Sequence, residues 1–156
     1  MRKIRIVAVG KDKEPWIAEG VAHYRKLLSR YASIEFEWVG KARLSASATP
    51  EEIRRVEGQA ILRCLQSGGT VALSDAGRRL TSEEFARFID KLTSHQRGYL
   101  TFVLGGAHGL DPKVLSRADA ALSLSPLTFS HQIARIVLLE QLYRAFTILE
   151  GTDYHK

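Results

Sequence analysis

The feature that most constrains this chain is the alternation of short β-branched runs with amphipathic stretches. Residues 3–10 (KIRIVAVG) are rich in Ile and Val, end in glycine and read as a strand. The spacing of Trp16, Ile17, Val21, Tyr24, Leu27 and Leu28 predicts a helix over 15–30, opened by Pro15. Ile34, Phe36 and Trp38 alternate with Glu35 and Glu37, which predicts a half-exposed or edge strand over 34–39. Thr49-Pro50-Glu51-Glu52 carries an N-cap, a first-turn proline and a capping-box glutamate, so a helix runs to about residue 65. The pattern then repeats: a strand over 70–74, a helix capped at Thr81, a strand over 99–104, a short helix opened by Asp111-Pro112, a strand over 118–124 and a long helix over 131–149. Strands that alternate with helices specify an α/β fold, with a mainly parallel sheet and helices on both faces. Nothing in 156 residues breaks into a repeat, a low-complexity tract or a linker, so residues 1–156 read as a single domain.

Composition closes off other classes. With 45% hydrophobic and 26% charged residues, the chain is neither disordered nor fibrous. Apolar runs such as 136–139 are far too short to span a bilayer. Arg2, Lys3 and Arg5 are followed by no apolar segment of signal-peptide type. Cys64 is the single cysteine, so no intrachain disulfide can form and a cytoplasmic setting is expected. No paired His or Cys motif points to a metal. The net charge is +6, and residues 1–66 carry 13 basic against 8 acidic side chains. A basic half of this kind suits a polyanionic partner or an ordinary solvated surface.

In an open α/β sheet, ligands bind outside the carboxyl ends of the strands. Three loops fall there: the one after Leu73 and Ser74, the glycine loop of Gly105, Gly106 and Gly109, and the uncharged run Ser125, Pro126, Leu127, Thr128, Phe129 and Ser130. The glycines permit a close backbone approach or a positive φ, but their spacing matches neither a dinucleotide fingerprint nor a phosphate loop. The 125–130 run offers main-chain groups with Leu127 and Phe129 as apolar contacts, as an uncharged ring such as adenine requires, or serves as a helix entry capped by Ser130. His131 opens the last helix, where the dipole favours a neutral imidazole. Arg135 and Arg144 are 2.5 turns apart and face opposite sides. Trp16, Trp38 and Cys64 read as packing residues.

These motifs together resemble a known family. Val103-Leu104-Gly105-Gly106 with Gly109-Leu110, Leu122-Ser123-Leu124-Ser125 with Leu127-Thr128 and His131, Leu142-Tyr143-Arg144-Ala145, and Tyr154-His155 near the end are similar to the bacterial large-subunit rRNA pseudouridine N3-methyltransferases of the SPOUT class (the RlmH family). The stretches 6–11 and Leu73-Ser74 with Gly77-Arg78 match as well, so the likeness covers the whole chain. Ala107 stands where Pro or Ser is common, and Ser74 where some relatives carry Asp.

The resemblance implies a C-terminal trefoil knot, which periodicity never suggests. It implies S-adenosylmethionine held by Leu73, Ser74, Gly105, Gly106 and residues 125–130. It implies a homodimer in which the partner chain completes each pocket, and a pseudouridine of 23S rRNA in the assembled ribosome as substrate. His131, Tyr154 and His155 become candidates for base or positioning roles, and Arg144, with Lys156, for an anion contact. Lys11, Lys13, Arg25, Lys26, Lys41 and Arg43 become candidate RNA contacts. Two other readings stand beside this one: a non-catalytic ribosome-associated RNA-binding factor, and a SPOUT enzyme acting on tRNA.

Overall fold

A computed structural model describes residues 1–95 and 98–156. Its elements run β1 (Arg2–Val9), α1 (Pro15–Leu28), β2 (Ala32–Val39), α2 (Pro50–Cys64), β3 (Thr70–Arg79), α3 (Ser82–His95), β4 (Leu100–Leu104), α4 (Pro112–Arg117), β5 (Ala120–Ser123) and α5 (His131–Leu149). The five strands form one sheet in the order β2-β1-β4-β3-β5, and every pair is parallel. Parallel neighbours cannot be joined by tight turns, so each connection is a helical crossover.

Side-chain alternation divides the core in two. Ile4, Ile6, Ala8, Phe102 and Leu104 pack on one face with residues of α1, α3 and α5, including Ile17, Ile89 and Leu138. Val7, Val9, Ala72 and Val103 pack on the other with Ile61 of α2 and Val114 of α4. Leu138, Leu139, Leu142 and Phe146 of α5 are all fully buried, so this helix is hydrophobic on a broad arc. The expected caps form. Thr49 and Glu52 make a reciprocal box, as do Thr81 and Glu84, and Asp111 accepts from the Lys113 amide.

Two expectations need correction. Trp16 is not a packing residue: it is 56% exposed in the first turn of α1, because Ile17 and Val21 take the buried side of that helix. Strand β3 does not stop at residue 74. Leu122 of β5 pairs with Leu73 and again with Arg78, so residues 74–77 leave the ladder and return to it. Gly77 permits the return, since a methyl group there would lie 2.6 Å from the Leu122 carbonyl carbon. Trp38 is half-buried and stacks on Phe36, with ring centroids 4.8 Å apart. Cys64 is also half-buried, and burial pushes its thiol up. No helix among the described residues is long and apolar enough to cross a membrane.

Candidate active site

Because β4, β3 and β5 are neighbours and parallel, their three following loops lie side by side at the carboxyl edge of the sheet. The glycines of the β4 loop act differently. A Cβ on Gly105 would lie 2.6 Å from the Gly109 carbonyl oxygen, so this position has no room for a side chain. A Cβ on Gly106 would lie 2.8 Å from Oε2 of Glu57. Gly109 takes φ +79°, the left-handed region that a tight return needs. Its amide donates to the Gly106 carbonyl at 3.1 Å. On the neighbouring β3 loop, Leu73 and Ser74 are half-buried.

The 125–130 loop is held by its own serines. Ser123 Oγ donates to the Ser125 carbonyl at 3.0 Å, and Ser125 Oγ accepts from the Leu127 amide at 2.9 Å. Leu127 is left 74% exposed, Pro126 and Thr128 are exposed and Phe129 is half-buried. Ser130 caps α5 by accepting from the Ile133 amide.

His131 follows directly. It is half-buried, and its Nε2 has no hydrogen-bond partner among the described residues. Burial, then Arg135, Lys41 and Lys13, hold its pKa below the ordinary value, so the ring is neutral. The next turn lashes α5 to the end of β1. Arg135, only 1% exposed, donates to the carbonyls of Val9 at 2.6 Å and Gly10 at 2.7 Å and to Asp12 Oδ1 at 3.0 Å. Its guanidinium lies 5.0 Å from the Trp38 ring centroid. Gln132 adds bonds to the Lys11 carbonyl and the Lys13 amide. Reasoning from spacing overlooked this clamp, although a lone arginine within an otherwise apolar helical stretch was a visible signal.

Arg144, Tyr154 and His155 form a second cluster. Arg144 binds Glu140 through Nε and Nη2 at 3.1 and 2.8 Å. Its Nη1 lies 3.2 Å from His155 Nδ1. A guanidinium only donates, so Nδ1 accepts and the ring's Nε2–H donates to Glu83 Oε1 at 2.8 Å. Tyr154 packs edge-on against Tyr143, lies under the Arg144 guanidinium and donates to Glu140 at 3.1 Å. Desolvation, then Glu140, pushes the Tyr154 hydroxyl up to about 12, which makes it a donor and not a base at neutral pH. The tail is therefore folded back and fixed, with Lys156 exposed beyond it.

The two clusters occupy opposite edges of the sheet. His131 stands at the carboxyl edge, and Arg144 lies 13 residues further along a continuous helix, roughly 20 Å away at 1.5 Å per residue. Phe146, two residues further on, touches Arg2 at the start of β1 and Tyr31 just before β2, which marks the amino edge. Within one chain, then, His131 and the three carboxyl-edge loops are grouped together. Arg144, Tyr154 and His155 are grouped elsewhere.

Fold and sequence place the chain in a family of methyltransferases. Residues 2–155 match the family described as predicted SPOUT methyltransferase, and the chain belongs to it. The knotted α/β class expected from the resemblance comes with that membership. Among relatives, the chain is 43% identical over 160 residues to the ribosomal RNA large subunit methyltransferase H of Symbiobacterium thermophilum, covering 99% of both chains. It is 44% identical to the protein of the same name from Carboxydothermus hydrogenoformans, again over 99% of both. Among solved structures it is similar to a probable methylase family protein from Haemophilus influenzae, with a TM-score of 0.56, 17% identity, and coverage of 98% of this chain and 70% of that one.

Proposed function

We propose that this protein is an S-adenosylmethionine-dependent methyltransferase of large-subunit ribosomal RNA, acting on N3 of a pseudouridine in 23S rRNA within the ribosome. The observation that carries the reading is the pairing of two preformed half-sites on one chain. One is the cradle of three loops at the carboxyl edge, whose 125–130 run carries no charged side chain, and the other an Arg-Tyr-His cluster too far away to serve it. A second copy of the chain reconciles them: in a homodimer, the cluster of one protomer faces the loops of its partner.

The cradle fits the cofactor's adenosyl group. Leu127 and Phe129 offer apolar surface, and no ionic side chain in 125–130 competes with an uncharged purine. Leu73 and Ser74 border the same space. Bound there, the cofactor supplies an electrophilic methyl group on a sulfonium.

The rest falls to the protein's own side chains. N3 of pseudouridine is a poor nucleophile until its proton leaves, so the site must stabilise the resulting imide anion. Arg144 supports that charge, its pKa raised first by Glu140. Tyr154, its hydroxyl proton held by Glu140, packs against the Arg144 guanidinium, and His155 fixes Arg144 from the other side. His131, neutral and with a free Nε2, is the available acceptor on the cofactor side. The cations Lys11, Lys13, Lys41 and Arg43 are exposed and suit phosphate contacts bordering the loops, while Arg25 and Lys26 lie in the last turns of α1.

The test is to incubate the purified protein with methyl-labelled cofactor and ribosomes lacking the modification, then to analyse nucleosides by mass. Labelled 3-methylpseudouridine in 23S rRNA is the expected product. Cofactor binding without rRNA label, or label on tRNA instead, overturns the substrate.

A further inference from the structure

Beside the glycine cradle, at the same edge, lies a group of charged side chains with no role so far. Strand β1 leads to β2 on one side and β4 leads on to β5 on the other, so the β1/β4 boundary is the topological switch point of the sheet. Crevices of this kind receive ligands in open α/β folds.

Glu57, in the middle of α2, is only 7% exposed, and its carboxylate accepts no hydrogen bond from any described residue. Its carboxylate reaches the β4 loop, with Oε2 2.8 Å from where a Gly106 side chain would begin. Burial raises its pKa above the ordinary carboxylate value, opposed by His108 and Lys41. Lys41 packs its alkyl chain over Gly10, at the end of β1, and Lys13 follows in the turn just beyond. Lys13 first, then burial, lowers the Lys41 pKa. The unpartnered Nε2 of His131 belongs to the same electrostatic neighbourhood as the two lysines.

A buried carboxylate that accepts no hydrogen bond is short of a cation, and two neighbouring lysines are short of an anion. An α-amino acid presents both charges on adjacent atoms. We propose that Glu57, Lys41 and Lys13 form the subsite for the zwitterionic amino-acid end of the methyl donor, Glu57 taking its ammonium and the lysine pair its carboxylate. The proposal rests on the cofactor reading above and extends it to residues outside the three loops. Gly106 then borders both parts, the adenosyl cradle and the Glu57 subsite.

The experiment compares two ligands that share the adenosyl thioether. S-Adenosylhomocysteine keeps the amino-acid end, and 5′-methylthioadenosine lacks it. Dissociation constants are measured by calorimetry on the full-length protein, on Glu57→Gln and on the double variant Lys13→Ala/Lys41→Ala. Two charge-assisted contacts predict that the native protein prefers the first ligand by about ten- to a hundred-fold. Each variant should lose most of that preference while binding methylthioadenosine as the native protein does. Equal weakening of both ligands, or an unchanged preference, overturns the proposal, as does a lysine variant that loses only RNA binding. Failure of the native protein to bind either ligand overturns the cofactor reading as well. Glu57→Gln removes a buried charge without a partner, so its thermal midpoint at pH 7 should be no lower than native.

Discussion

Arg135 shows how much one side chain can hold. It is the largest fully buried side chain of the molecule, and its three acceptors all belong to the end of β1 and the turn after it. Replacing it with Met would keep most of the volume but leave two carbonyls and the Asp12 carboxylate without their donor. Stability should fall by about 3–5 kcal/mol, as when one partner of a buried pair is removed. Urea unfolding measures this, and a loss below about 1 kcal/mol would mean that the clamp is ornamental. His131 gives a pH signature. Its imidazole titrates near 6.5 when unfolded and lower when folded. Between those values the unfolded chain holds a proton that the folded chain lacks. The contribution to stability is thus complete above 6.5 and is lost as pH falls through the folded value. His131→Asn should flatten the decline in urea midpoint between pH 7.5 and 5; an unchanged slope would assign that decline to other groups.

At the scale of elements, α5 joins the two proposed half-sites, and its start is fixed by Ser130. Ser130→Ala removes the cap and should cost about 1 kcal/mol. Because the same residue closes the 125–130 loop, cofactor affinity should drop with it; a titration showing full affinity would separate cap from cradle. Most elements were legible in the sequence, since caps such as Thr49 and Asp111 are local and the 2.0 and 3.6 periods report burial directly. The end of β3 was not. Residues 75–79 are DAGRR, which reads as a polar turn, and their pairing comes from β5, more than 40 residues later. The site divides the same way. The glycine loop and the uncharged run stand out locally. The contact of His155 with Glu83 spans 72 residues and that of Gly106 with Glu57 spans 49, and no local pattern encodes either.

For the whole molecule, the separation of the half-sites predicts complementation in trans. Arg144→Ala spoils the tail cluster, and Gly105→Ala drives a methyl group into the Gly109 carbonyl and spoils the cradle. Each variant alone should be inactive. In the proposed homodimer, unfolding and reassorting the two together makes half of the dimers mixed, each with one intact composite site and one doubly damaged site. Activity should return to about a quarter of native. A mixture as inactive as its parents would mean that each site is built from one chain. The strand order has a further consequence, for synthesis. The first strand made, β1, needs β2 on one flank and β4 on the other, and Ile4 meets its partner Leu100 only after nearly two thirds of the chain exists. Until then a growing polypeptide carries a ribbon whose second half, Ile6–Val9, is wholly apolar, with one open side, an invitation to mispairing that crowding beside neighbouring nascent chains would aggravate. Efficient production of this protein therefore depends on shielding that ribbon during elongation, and slowing translation before residue 100 should lower its yield.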